Sequence, residues 1–153
     1  MPNLAGTEAP FFQSKDQNGE AVSLNDLKGK KIILYFYPKD DTPGCTAEAC
    51  SFRDNYASLQ SQGYTIIGVS VDDEKSHQKF IKKYELPFSL LSDTDHSIVE
   101  AFGVWVEKNM YGKKYMGVSR ETFVIDEKGI ITHHIQKVDT KNSTGQLEEI
   151  LKG

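Results

Sequence analysis

Residues 31–45, KIILYFYPKDDTPGC, join a strand to a helix through a short loop, and the fold is read outward from them. Residues 31–37 are a β-branched and aromatic run, fit for a strand buried on both faces. Pro38 ends the run. Thr42-Pro43 then opens a helix: Thr is a good N-cap, and Pro suits the first helical position, where its missing N–H has no partner to lose. Cys45, Ala49, Phe52, Tyr56 and Leu59 follow at i, i+4, i+7, i+11 and i+14, a single helical stripe. Gly63 stops it.

Beyond that unit, residues 64–71 (YTIIGVSV) read as a second strand. Residues 76–84 read as a helix with Phe80, Ile81 and Tyr84 inward and His77 on its polar face. Residues 88–91 form a short extended piece, and residues 95–102 a small helix closed by Gly103. Residues 104–119 are the least legible segment, a long loop or irregular hairpin. Residues 122–125 and 130–135 are strands around the turn Asp126-Glu127-Lys128-Gly129, and Ser143 caps a last helix with Leu147, Ile150 and Leu151 inward. The first thirty residues form a strand-and-turn cover, with a turn signal at Asn18-Gly19. The order predicts an α/β fold: a small central mixed sheet, helices on both faces, an N-terminal β cover and an insertion. That is the thioredoxin-like arrangement, which does not by itself fix function.

A chain of 153 residues is the size of one domain, 1–153, and buries roughly 68–70% of its unfolded surface, so it needs no disulfide staples. Eight Phe, seven Tyr and one Trp supply a core. The charge sum, 18 − 22 = −4, argues against a nucleic-acid partner, which wants a basic face. No apolar run is long enough to span a membrane, and the N-terminus lacks a basic start and an apolar export stretch. These features predict a cytosolic protein.

Cys45 and Cys50 are the chain's two cysteines. In a reducing compartment such a pair is chemical more often than structural. Cys45 falls in the first turn of its helix, where backbone N–H groups lack intrahelical acceptors and the dipole is positive. A thiolate at that place is stabilised over a thiol. The competing reading, a small buried hydrophobe on the apolar stripe, is the commoner one for cysteine in general; the Thr-Pro-Gly lead-in favours the reactive one. Gly44 lets the backbone approach a small guest. Cys50 lies five residues on, about 8–9 Å away between Cα atoms in a wound helix, and a disulfide needs about 7 Å or less. Either the two are unrelated or the helix unwinds. The spacing is not C-x-x-C.

The run Pro38-Lys39-Asp40-Asp41-Thr42-Pro43-Gly44-Cys45 resembles the Pro-x-x-x-Thr-x-x-Cys motif of the peroxiredoxins. Its continuation to Cys50 is similar to the Q-type, or bacterioferritin comigratory protein, branch. The similarity extends from Ala9-Pro10 to Gly117-Val118-Ser119-Arg120 and Thr122-Phe123-Val124-Ile125-Asp126. The resemblance implies that Cys45 is the peroxidatic cysteine and Cys50 the resolving one, joined as a redox disulfide during turnover. It implies that Thr42 and Arg120 are polar partners of the sulfur, that Pro38 shields the pocket and that Glu48 braces Arg120; the bland alternative for Glu48 is a solvated helix carboxylate. Glu121, after the arginine, departs from the small residue expected there. The implied reaction is reduction of a hydroperoxide through a Cys45 sulfenic acid, with thioredoxin or glutaredoxin as reductant, in a monomer without cofactor.

Three rivals stand beside it. A thiol-disulfide oxidoreductase would use the same thiol on proteins, and a peroxide sensor would pass the oxidation to a partner. A metal module would draw on the cysteines and on His77, His96, His133 and His134, but His133 and His134 are strand neighbours facing opposite ways, and no metal is expected. Lys113-Lys114 with Trp105, Tyr111 and Tyr115 read as a solvated loop with packed rings, or as a docking surface.

Overall fold

The computed structural model describes residues 3–152. The chain opens with β1 (Gln13–Lys15) and β2 (Ala21–Ser23), a 3₁₀ turn at Asn25–Leu27, and the central strand β3 (Lys31–Phe36). Helices α1 (Pro43–Asp54) and α2 (Tyr56–Ser61) lead to β4 (Tyr64–Ser70), α3 (Glu74–Tyr84), β5 (Ser89–Ser92) and α4 (Ser97–Ala101). A hairpin of β6 (Trp105–Met110) and β7 (Lys113–Val118) follows, then β8 (Glu121–Ile125), β9 (Ile131–Ile135) and α5 (Ser143–Lys152). Seven strands form one sheet in the order β2-β1-β5-β4-β3-β8-β9. It is mixed: β3 runs parallel to β4 and antiparallel to β8, with Leu34 between Ile67 and Phe123. This is the thioredoxin-like architecture expected.

The continuous apolar run of β3 has a simple cause: both of its faces are covered. Ile32, Leu34 and Phe36 pack into one core with Ile67, Val69, Phe123 and the α4 residues Ile98 and Val99. Ile33, Tyr35 and Tyr37 pack into the other, with Ala49 and Phe52 of α1, Phe80 of α3 and Leu147 of α5. None of these six β3 and loop side chains is more than 1% exposed. Gly68 of β4 faces the second core where nothing larger fits; a Cβ there would lie 2.7 Å from Leu90 Cδ2 and 2.9 Å from Tyr35 Cζ.

Several expectations need correction. Residues 104–119 are a regular antiparallel hairpin, paired from Trp105↔Val118 to Met110↔Lys113. Its two-residue turn, Tyr111-Gly112, has φ of 52° and 83°, the left-handed pair such tight turns require. The single helical stripe is split at Asn55, whose Nδ2 donates to the Ser51 carbonyl at 2.8 Å and so competes with the helix backbone. The α3 helix begins at Glu74, because Asp73 Oδ1 accepts from the Ser76 N–H at 2.9 Å. Ser143 does not cap α5: its hydroxyl donates back to the Asp139 carbonyl at 2.8 Å. Among the described residues no helix is long and apolar enough to cross a membrane.

Candidate active site

The site forms where β3 ends and α1 begins. Thr42 is the N-cap, Pro43 the first helical residue, and the first helical bond runs from the Thr46 N–H to the Thr42 carbonyl at 2.8 Å. The N–H groups of Gly44 and Cys45 therefore have no intrahelical acceptor. Cys45 is 1% exposed and lies on the face of α1 turned to the sheet. Because β8 pairs antiparallel with β3, setting Glu121 opposite Phe36, the residue just before β8 arrives level with the start of α1. That residue is Arg120.

Its guanidinium bridges two groups of α1. Nη2 donates to Cys45 Sγ at 3.3 Å, and Nη1 donates to Glu48 Oε1 at 3.0 Å. Burial works against the Arg120 charge, yet Cys45 and Glu48 together hold its pKa above the ordinary arginine value. Glu48 is fully buried, and that burial pushes its carboxyl up to about 7 against the opposing pull of Arg120. Among the described residues Glu48 Oε2 has no hydrogen-bond partner, and neither has the buried Tyr35 hydroxyl. Burial, with the charges of Glu48 and Cys45, raises that phenol well above its usual range. The solvated reading of Glu48 is thereby excluded.

The remaining expected residues are placed as follows. Gly44 lies against Arg120, not against open space; a Cβ on it would sit 3.0 Å from Nη2. Its missing side chain admits the guanidinium. The Thr42 hydroxyl donates to the Lys39 carbonyl at 2.9 Å and makes no hydrogen bond to Cys45 among the described residues. Pro38 lines a cleft of about 270 Å³ together with Lys39, Trp105, Lys108, Tyr115 and Met116. Larger hollows, of about 690 and 700 Å³, lie away from Cys45, beside β1 and at the hairpin tip. Cys50 is half-buried, and both thiols are free within one wound helix.

Each of the four histidines has its own partner, and among the described residues no three metal-ligating side chains come together. His96 stacks on Trp105 at 4.2 Å, His133 Nδ1 meets Thr132 Oγ1 at 2.9 Å, and His134 Nε2 meets Glu121 Oε1 at 2.6 Å. That contact turns Glu121 toward His134. His77 is not on a solvated face: it is 0% exposed, between the Asp40 carboxylate and the Leu91 carbonyl. Sequence reading missed it by treating histidine as polar, although it stands three and four residues before Phe80 and Ile81 on the inward face.

The AhpC/TSA family pattern matches residues 5–134. The chain is 57% identical to a Putative peroxiredoxin bcp of Coxiella burnetii over 93% of this chain and 94% of that one. It is 48% identical to Peroxiredoxin Bcp of Bacillus subtilis over 96% and 94% of the two chains. A cysteine-to-serine mutant of Xanthomonas campestris Peroxiredoxin Q superposes with a TM-score of 0.90 at 36% identity, over 97% of this chain and 98% of that one. With a cysteine at a helix start, an arginine on its sulfur and these relatives along nearly its full length, the chain belongs to the AhpC/TSA family and, within it, to the peroxiredoxins of the Q, or Bcp, type.

Proposed function

We propose that the thiol peroxidase activity of this family is carried in this chain by Cys45, with Arg120 as its electrostatic partner. The observation that supports this most is the guanidinium placed 3.3 Å from Cys45 Sγ and held there from the other side by Glu48. The Cys45 thiolate attacks the terminal oxygen of a hydroperoxide in line with the O–O bond. An S–O bond forms, the O–O bond breaks, and the departing oxygen leaves as water or alcohol after taking a proton. Negative charge moves from sulfur to that oxygen, and a fixed cation beside the sulfur stabilises the shift without having to reorganise. The first-turn N–H groups of Gly44 and Cys45 add donors, and Thr42 is assigned to the same cradle. Pro38 bounds the approach.

The Cys45 sulfenic acid then condenses with the Cys50 thiol, releasing water and forming the intramolecular disulfide. Since α1 as wound holds the two cysteines apart, this step needs α1 to open locally. A dithiol reductant of the thioredoxin or glutaredoxin type restores both thiols by exchange. The chain acts as a single-domain monomer in the cytoplasm, where such reductants keep thiols reduced. Replacing Cys45 by Ser should abolish peroxide consumption. Replacing Cys50 by Ser should allow one turnover and trap sulfenic acid, detected by mass spectrometry with a dimedone-type probe. A Cys45→Ser protein that still consumes peroxide would refute the assignment, and a Cys50→Ser protein that cycles normally with thioredoxin would remove Cys50 as resolver.

A further inference from the structure

The loop between β3 and α1 is fastened to α3 by a buried cluster that the peroxidase chemistry does not use. Asp40, five residues before Cys45, is 8% exposed. Its Oδ1 accepts from the Tyr37 hydroxyl at 2.6 Å. Its Oδ2 accepts from the Ser76 hydroxyl at 2.7 Å and meets His77 Nδ1 at 2.7 Å. The far nitrogen of the ring, Nε2, lies 2.9 Å from the Leu91 carbonyl.

A carbonyl has no proton to give, so Nε2 carries one. An ionised carboxylate has none either, so the Nδ1 contact also demands a proton on nitrogen. The ring thus sits between two acceptors and fits as an imidazolium. The carboxylates among its titratable neighbours favour that charge, and the Tyr37 phenol, raised by burial, stays neutral beside it. Asp40 faces the ring from the loop and Tyr37 from the end of β3. Asp72, just after β4, accepts the Asp40 N–H at 2.8 Å and the Ser70 hydroxyl at 2.8 Å. Burial opposes a charged His77, but the bond and charge of Asp40, the Leu91 carbonyl and Asp72 outweigh it and hold the ring above its ordinary range.

We propose that His77 is a positioning residue for Cys45: as a buried cation on α3 it holds Asp40, and through Asp40 the loop that sets the start of α1. The next residue, Asp41, shows why the loop needs holding. It takes a left-handed φ of 56°, which a non-glycine residue keeps only when its surroundings impose it. Asp41 has its own anchor on α3, in Lys83 Nζ at 2.8 Å and the Tyr84 hydroxyl at 2.7 Å, but that anchor is exposed to solvent. Loss of the His77 proton, from Nε2, sets a bare nitrogen lone pair against the Leu91 carbonyl, weakens the Nδ1–H bond to Asp40 from a charged to a neutral one, and leaves two neighbouring carboxylates without a cation. The loop then loosens, and Cys45 leaves its place on Arg120.

The inference rests on Cys45 as the peroxidatic residue, and two measurements separate them. Nitrogen-15 NMR of the wild-type ring reports its charge regardless of activity: both ring nitrogens should be protonated at neutral pH, and a neutral tautomer there overturns the proposal. Stopped-flow oxidation of Cys45 by hydrogen peroxide should slow on the alkaline side over the interval in which His77 loses its proton; separate midpoints also overturn it. His77→Gln should react roughly tenfold more slowly at neutral pH and lose that alkaline limb. A folded His77→Gln protein with the wild-type rate and profile would show the cluster to be structural only. Should the variant not fold, the two wild-type titrations decide alone. A wild-type chain that leaves peroxide untouched fails the peroxidase reading and does not bear on the ring's charge.

Discussion

At the residue scale, Glu48 shows how a buried carboxylate is made to share one arginine with a sulfur. Its spacing, three residues after Cys45 and four before Phe52, puts it on the buried side of α1, but the sequence carried its bracing of Arg120 only through the family resemblance, with a solvated carboxylate as the alternative. The same spacing logic places His77 inward on α3, and only its residue type misled. The fold raises the Glu48 carboxyl from 4.5 to about 7, chiefly by burial. A carboxylate raised in the folded state binds more protons folded than unfolded across that interval. Stability should therefore be fullest below the unfolded value and decline as pH climbs toward 7. At about 1.4 kcal/mol for each tenfold change in proton affinity, the decline is worth roughly 3 kcal/mol. Glu48→Gln removes it. Urea unfolding on the acid and alkaline sides of this interval should show a smaller loss for Glu48→Gln than for the wild type. The raised His77 lowers stability in the same direction as pH rises, and it is common to both proteins, so the difference isolates Glu48. An equal loss in the two would mean that Glu48 stays ionised throughout.

At the scale of the element, α1 must be firm enough to present Cys45 and loose enough to release Cys50. The sequence marked its start through Thr42-Pro43 and its buried face through the apolar stripe, because both signals are local. Its end was hidden: Asn55 breaks the helix by donating its side-chain amide to the Ser51 carbonyl, while Tyr56 and Leu59 continue the stripe in phase. What holds the second half is also non-local. The Thr144 N–H of α5 donates to Ser51 Oγ at 3.1 Å, and the Thr144 hydroxyl donates to the Ser51 carbonyl at 3.0 Å, one residue from Cys50. The two hydroxyls meet at 3.1 Å. If α1 opens at this end, the knot must break first. Thr144→Val keeps the volume and the N–H bond but deletes the hydroxyl. With about 1 kcal/mol for each of the two hydrogen bonds the hydroxyl makes, disulfide formation should accelerate by about thirtyfold. Attack on peroxide, set at the other end of the helix, should keep its rate. Stopped-flow fluorescence separates the two phases. An unchanged second phase would show that α1 opens from its Cys45 end instead.

Over the whole molecule, what was legible is what is buried on both faces. The strands β3, β4 and β8 announce themselves because nearly every residue in them meets a core. The hairpin of β6 and β7 did not. Among the described residues it pairs only with itself, and its outer half meets solvent on both sides, so no alternation of apolar and polar residues marks it. Its turn carries Tyr111 at a position where asparagine would have given a readable signal. Tyr111 is 100% exposed, and Met110 and Met116 are about half exposed. The hairpin is rooted at its base, where Val104 and Val118 join the core below Trp105. Such an element adds little to the cooperative fold at its tip and a great deal at its root. Limited trypsin treatment of the native protein should therefore cut first after Lys113 or Lys114, beside the exposed turn. The nicked protein should keep its far-UV circular dichroism and oxidise Cys45 within about twofold of the intact rate, since the strands stay paired from Trp105 to Lys108. Collapse of the circular dichroism on nicking would mean that the tip belongs to the core's cooperative unit. A preserved fold with a lost oxidation rate would mean that the distal hairpin holds Lys108 and Met116 over the cleft beside Pro38.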